Sequence, residues 1–360
     1  MKLSLQSAGI FLFLFCFSFS GKAQVIKVEA IGITVKEMDR SLKFYTDVLG
    51  FKKISDAEYT GEGIENLEGL FGIHTRVARL QLGDEFIELT DYLTTGGRSI
   101  PEDAKSNDLI FQHIAVVVSD MDKAYAQLRK YDVEHVSTAP QTLPKSIPGA
   151  AGIRAFYFHD PDDHNLELIW FPKGKGQDKW QQRNGKTFLG IDHTAIGVSN
   201  TENSHHFYTE LLCIERKGDS WNKGIEQAHL NNVENASLHI TGYRSSQGPG
   251  IEFLQYISPG PGKPYPSDSH ADDLWHWQTT LIVNDAKNLY QRFKAMNTKF
   301  VSKELVVQQV GKVSAKSFIV RDPDGHALLI KQYVAPPAQS SITDTCETNL
   351  FSQFFYVCNL

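Results

Sequence analysis

The chain has 360 residues, 42 acidic against 36 basic, and a formal net charge of −6. Its Lys and Arg residues gather into no cluster or stripe that could follow a phosphate backbone, which argues against a nucleic-acid partner. Four cysteines are too few for a disulfide scaffold.

Taken in chain order, the first segment reads as an export signal. Lys2 gives a basic start, residues 10–19 are almost unbroken apolar, and Gly21-Lys22-Ala23 offers small residues before a cut after Ala23. The expected location is periplasmic or secreted. That apolar run is far short of the roughly 20 residues a bilayer span needs, and no later stretch comes near it, so no membrane association is expected once the signal is gone. Cys16 sits inside the run and not behind a small-residue box, which argues against lipid attachment there. Removing residues 1–23 takes Lys2 and Lys22 with it, so the charge becomes −8 and 360 − 23 = 337 residues remain. That length suits two domains, assigned to residues 26–172 and 188–334.

Within them one pattern recurs four times at a spacing near 80 residues, in modules 26–92, 111–172, 188–257 and 275–334. Each opens with a β-branched run: 30–35, 113–118, 193–198 and 278–283. A helix follows, announced by capping pairs such as Ser119-Asp120, Ser199-Asn200 and Asn284-Asp285 and by apolar spacing such as Met38, Leu42, Tyr45 and Leu49. Further strands close each module, the last at 86–89, 165–169, 250–253 and 327–330. In modules two and four an Asp-Pro-Asp turn, 160–162 and 322–324, leads into it. The expected fold is therefore α+β, four βαβββ modules. Connectors rich in Gly, Pro, Ser and charge lie at 94–108, 172–186 and 258–273. Residues 335–360 carry no copy of the repeat and read as a loose tail, in which an oxidising compartment would allow a Cys346 to Cys358 bridge. Cys213 reads as a buried small hydrophobe.

Aligning the four copies puts Ala30, His113, His193 and Gln278 at one position, the head of the first strand, 83, 80 and 85 residues apart. The same alignment puts Glu88, Glu167, Glu252 and Leu329 at a second position, inside the last strand. A lone strand histidine is usually a satisfied core residue, and a lone strand glutamate usually pairs with an arginine. Recurrence of both types together changes the reading, because uncompensated buried carboxylates are costly. Two imidazoles and two carboxylates also form a coordination set for a divalent ion such as Zn, Ni, Fe or Mn. The metal ligands expected are His113, Glu167, His193 and Glu252. His205 and His206 read as solvated helix residues, His164 and His326 as a structural pair behind the Asp-Pro-Asp turns, and His276 as a possible substitute ligand two residues ahead of Gln278.

The stretch Ile-Gly-Ile-Thr-Val at 31–35, followed by Asp-Arg-Ser-Leu-Lys-Phe-Tyr-Thr-Asp-Val-Leu-Gly-Phe at 39–51, resembles the glyoxalase, bleomycin-resistance and extradiol-dioxygenase superfamily, also called the vicinal oxygen chelate superfamily. The resemblance covers residues 26 to 333. It implies that modules pair face to face as curved-sheet cups, with metal ligands from first and last strands. If neighbours pair in order, one cup holds Glu88, His113 and Glu167 and the other His193, Glu252 and Gln278, each incomplete. If two pairs with three and one with four, the full set falls in one cup, and Glu88 with Gln278 remain in the other. The second pairing is favoured, and it requires His113 and His193 to lie within metal-bridging reach.

The resemblance implies a small-molecule substrate whose vicinal oxygens a divalent ion chelates, for isomerase or lyase chemistry in which Glu167 or Glu252 moves a proton. Two alternatives stand beside it: an Fe(II) extradiol-type ring-cleaving dioxygenase, and a non-catalytic binding protein of the bleomycin-resistance type. Four modules can close both cups within one chain, which suits a monomer and leaves a dimer open.

Overall fold

The structure is a computed structural model and describes residues 24–182, 185–310 and 313–334. The expected export signal with Cys16, and the expected tail with Cys346 and Cys358, lie outside the described residues.

Among the described residues, sixteen strands form in the expected four groups. Module one contributes β1 (Val25–Val35), β2 (Lys52–Thr60), β3 (His74–Leu82) and β4 (Glu85–Tyr92). Module two contributes β5 (Gln112–Val118), the two-residue β6 (Gln141–Thr142), β7 (Arg154–His159) and β8 (Asn165–Trp170). Module three contributes β9 (Phe188–Gly197), β10 (Glu215–Lys223), β11 (Ser237–Arg244) and β12 (Gly250–Ser258). Module four contributes β13 (Trp277–Val283), β14 (Val306–Val310), β15 (Val313–Arg321) and β16 (Ala327–Val334).

Helices follow each first strand. In modules two and four they are regular, α3 (Met121–Lys130) and α6 (Ala286–Ala295), each capped by an aspartate: Asp120 accepts from the Asp122 and Lys123 amides, Asp285 from that of Asn288. In modules one and three the helix α1 (Met38–Lys43) or α4 (Thr201–His205) widens into a π-helical turn, Phe44–Val48 or His206–Leu211. Those modules also carry a second short helix, α2 (Glu62–Glu68) or α5 (Ile225–Asn231). Module one thus resembles three and two resembles four, so the chain is a doubled pair of unlike modules.

Two eight-stranded sheets result. One has the order β14-β15-β16-β13-β1-β4-β3-β2 and joins modules four and one; the other has β10-β11-β12-β9-β5-β8-β7-β6 and joins three and two. This is the pairing the ligand distribution favours. The central seams are antiparallel, β1 with β13 and β5 with β9, and each first strand is flanked on its other side by its own last strand in parallel.

Modules adjacent in sequence meet back to back through their helices, in one large apolar core that includes Tyr45, Phe156, Tyr208 and Phe318. The Asp-Pro-Asp turns dock there. Asp160 Oδ1 accepts the amides of Asp162 and His164, freeing Oδ2 to accept the Tyr45 hydroxyl at 3.0 Å. Asp322 does the same with Asp324, His326 and the Tyr208 hydroxyl. His164 Nε2 reaches the Leu274 carbonyl at 2.7 Å and His326 Nε2 that of Gly197 at 2.8 Å. The repeated His pair is thus a structural clamp between the sheets. Cys213 differs from expectation: it is half-buried, in the left-handed conformation (φ 59°) that ends a helix.

Candidate metal centre in one of two cups

The register explains why four residues from four strands can meet. Across the β5–β9 seam His113 faces Ala195; along the parallel neighbours Ala115 faces Glu167 and Ala195 faces Glu252. Side chains two apart on a strand share a face, so each histidine and its glutamate point into the same concavity across an alanine. Ala115 and Ala195 are fully buried and small, which leaves room between the longer side chains.

His113, Glu167 and His193 offer ligand atoms that all lie within 4.8 Å of one another, and all three residues are buried. His113 Nε2 is 3.1 Å from Glu167 Oε2, and His193 Nε2 is 3.6 Å from that oxygen and 3.5 Å from Glu252 Oε2. Both Nε2 atoms are buried without a hydrogen-bond partner. Orphaned imidazole nitrogens converging on carboxylates have the donor chemistry of a divalent-ion site, and the residues present fit one. The two glutamates differ: the Glu167 side chain is 6% exposed and Glu252 27%.

The electrostatics agree. Burial would lower the His193 pKa, but Glu252, Asp192 and Glu167 more than reverse that and hold it at about 9. Burial pushes the Glu252 carboxyl above its usual range, with Glu167 adding to the rise and His193 opposing it. A cation placed among these groups relieves the same repulsion.

His193 is held from behind. Its Nδ1 lies 3.0 Å from Asp192 Oδ2, which also accepts from Arg244 Nη2 at 2.7 Å, while Asp192 Oδ1 accepts from Trp180 Nε1 at 2.6 Å and Gln177 Nε2 at 3.1 Å. A carboxylate on Nδ1 fixes the ring with Nε2 facing the cup, the arrangement that orients metal-bound histidines. Asp192→Asn is therefore expected to weaken divalent-ion affinity about 10–100-fold while the fold persists; competition with a chromophoric chelator measures it, and unchanged affinity would count against the role. The sequence reading missed this network. Asp192 adjoins His193 and was visible, but Gln177 and Trp180 lie in a connector read only as a linker.

The other cup is filled by its own side chains. A Cβ on Gly32 would lie 2.7 Å from Gln278 Cγ, so Gln278 lies where a ligand-binding space would open. Glu88 Oε1 accepts from Arg79 Nη1 at 2.5 Å across β3 and β4, and Leu329 packs in an apolar cluster with Leu67 and Ile319. His276 lies in this cup's first strand region, buried, its Nε2 3.4 Å from Gln278 Oε1; burial, reinforced by Arg321, drives its pKa to about 3. His205 is also not solvated as expected: it is half-buried, with Nδ1 3.0 Å from the Tyr243 hydroxyl, whereas His206 is exposed beside Glu210.

Glu68 occupies the filled cup as a buried carboxyl. Burial raises its pKa to about 7 against the hydrogen bonds from Tyr92 and Gln278. Between about pH 4.5 and 7 the unfolded chain gives up this proton and the folded chain keeps it, so stability falls as pH rises through that window and levels off above it. Relative to Glu68→Gln, the protein should lose about 3 kcal/mol between pH 4.5 and 8, read by urea unfolding of both proteins. A pH-independent difference would refute it.

A model of the Glyoxalase/Bleomycin resistance protein/Dioxygenase superfamily matches residues 27–168 and 190–330. Among curated proteins, a 2-epi-5-epi-valiolone epimerase from an Actinomyces species is 30% identical over 156 residues, 41% of this chain and 81% of the relative. A lactoylglutathione lyase of Schizosaccharomyces pombe is 26% identical over 186 residues, 50% of this chain and 57% of the relative. Among solved structures, glyoxalase I from Zea mays aligns with TM-score 0.55 at 16% identity over 86% of this chain and 92% of that one. A proposed dioxygenase from Bacillus subtilis aligns with TM-score 0.53 at 13% identity over 87% of this chain and 86% of that one. At these identities the structural likeness speaks to fold.

Proposed function

Because the chain belongs to the Glyoxalase/Bleomycin resistance protein/Dioxygenase superfamily, we propose that it is an exported metal-dependent enzyme moving a proton on a carbon beside a carbonyl, as in isomerisation, epimerisation or lyase chemistry. The observation that carries this reading is the convergence of His113, Glu167 and His193, with Glu252 one step more exposed at the mouth of the set. His113, Glu167 and His193 would hold the ion. When bound, a divalent ion supplies Lewis-acid polarisation of neighbouring substrate oxygens.

The proton work falls to Glu252. Its carboxylate lines the cavity, is the more accessible of the two, and is pushed by burial above the usual carboxylate range, the direction that makes a carboxylate a stronger base. Glu252 would take the proton from the substrate carbon and return it; Asp192 and Arg244 keep His193 aimed; the apolar residues of the module-two wall exclude water. Two curated relatives are named as an epimerase and a lyase, which is consistent with proton movement. The proposal of export rests on the basic, apolar and small-residue pattern of residues 1–23.

The test is elemental analysis of the purified protein followed by proton NMR of α-hydroxy ketones in D₂O. One divalent ion per chain and metal-dependent loss of the α-proton signal are expected. A protein that folds, binds no ion and exchanges nothing would instead fit a non-catalytic binder. A second reading rests on the two-histidine, one-carboxylate composition of the triad, the set used by Fe(II) oxygenases. Iron together with catechol-dependent O₂ uptake would select it.

A further inference from the structure

The cavity over the cluster has two unlike walls. Module two lines one side with Leu143, Ile153, Ala155, Ile169 and Phe171 beside Tyr157; module three lines the other with the polar Ser220, Asn222 and Gln227 beside the apolar Leu230 and Ile240. At the mouth, Gly218 and Gly242 face each other across β10 and β11 and put no side chain in the way. We propose that this cavity takes an uncharged, single-ring polyhydroxy ketone, its C–H face on the apolar wall, its hydroxyls on the amide row, and its carbonyl with the adjacent hydroxyl at the His113, Glu167, His193 and Glu252 cluster. The proposal rests on the proton-transfer reading for the reaction, and on the cavity alone for the ligand.

Charge excludes anions. Among the described residues no Lys or Arg lines this cavity, whereas Glu167, Asp192, Asp219 and Glu252 do; Lys217 and Arg244 line the recess that adjoins it over His193 and Glu252. The nearby cations are committed elsewhere: Arg244 to Asp192 at 2.7 Å, Arg216 to Asp219, and Lys217 to Glu215 at 2.5 Å. A phosphate or a dicarboxylate would enter a field of four carboxyl groups, and a bound dication would offset only part of it. Thiol-tripeptide conjugates, which are anionic, are disfavoured on the same ground.

Size points the same way. The cavity measures about 250 Å³, near the lower end of the roughly 300–1,000 Å³ of sites that enclose drug-sized ligands, which suits a single ring.

The amide row supplies the hydroxyl recognition. Ser220 Oγ donates to Asn222 Oδ1 at 2.5 Å, Asn222 Nδ2 donates to Gln227 Oε1 at 2.9 Å, and Gln227 Nε2 donates to Asn231 Oδ1. Ser220 and Asn222 share a face two residues apart on β10, and Gln227 and Asn231 sit one turn apart on α5. In this chain of bonds Asn222 and Gln227 each spend one amide hydrogen and one lone pair on neighbours and keep one of each. A hydroxyl also both donates and accepts. A fixed row of neutral groups with paired spare donors and acceptors therefore matches vicinal hydroxyls and gains nothing from a bare hydrocarbon ring.

The experiment uses the metal-loaded full chain with three probes, 2-keto-myo-inositol, 2-hydroxycyclohexanone and dihydroxyacetone phosphate, read by calorimetry for binding and by proton NMR in D₂O for exchange. Binding of the keto-inositol at least tenfold tighter than the other two is expected. Asn222→Leu should bring the ratio of keto-inositol to hydroxycyclohexanone affinity close to one; Ser220→Ala, a milder change, should lower it partly, and metal content reports that each variant is folded. Equal affinity for the two rings in the wild type, or tighter binding of the phosphate, overturns the proposal. Selective binding without exchange upholds the ligand class and sinks the proton-transfer reading, whereas exchange without selectivity does the reverse.

Discussion

His193→Ala is expected to take the protein from one bound divalent ion per chain to none under equilibrium dialysis, and to remove metal-dependent turnover with it. His193 Nε2 is the atom that approaches both carboxylates, 3.6 Å from Glu167 and 3.5 Å from Glu252. Deleting the ring leaves His113 and Glu167 as a two-donor remnant. It also strands Asp192, whose pKa is held well below the usual carboxylate range: burial opposes the charge, and His193 with Arg244 and Trp180 more than offset it. Arg244 and Trp180 remain as its partners in the variant, so the fold should persist. The affinity loss should exceed the roughly 10–100-fold typical of losing an outer partner of a ligand. Metal retained at full stoichiometry in the variant would sink the assignment of the centre. The converse change, Ala30→His, should create no second site, because Gln278 and Leu329 fill the cup that the new imidazole would enter.

That asymmetry between cups was legible in the sequence because it is an arithmetic of repeats. His113 and His193 stand where Ala30 and Gln278 stand in the other modules, and the observed register reproduces the equivalence: Ala115, Ala195, Gly32 and Thr280 pair in parallel with Glu167, Glu252, Glu88 and Leu329. A period of two fixes which face a strand residue points to, so alignment of strands carries alignment of side chains. Pairing could be inferred only indirectly, from which combination leaves one set whole.

What the sequence could not convey depends on distant contacts. Arg244 reaches Asp192 from 52 residues away and Trp180 from 12; neither spacing repeats among the modules, so no internal comparison flags them. The amide row is hidden for a related reason. Asn222, Gln227 and Asn231 are common surface residues by type, and only the packing of α5 over the cup buries them. His205 was misjudged because a helix of five residues running into a π-helical turn rotates its faces away from the 3.6-residue period used to read exposure.

The division of labour between the two glutamates gives the sharpest test of mechanism. Glu252→Gln keeps His113, Glu167 and His193 intact, so metal content should stay near one per chain while α-proton exchange falls about 10²–10⁴-fold, the usual contribution of a general base. Glu167→Gln should instead lose the ion and the exchange together, since Glu167 Oε2 is the oxygen shared by both imidazoles, at 3.1 and 3.6 Å. The loss in Glu252→Gln should fall on kcat more than on KM, because the amide preserves the size of the side chain and removes its capacity to take a proton. Loss of metal in Glu252→Gln would make Glu252 a ligand and leave the base unassigned. Under the ring-cleaving reading, substrate-dependent O₂ uptake requires the triad, which Glu252→Gln leaves in place. The same variant therefore separates proton transfer from oxygenation, and it does so with a readout, metal content, that shows the centre still assembled.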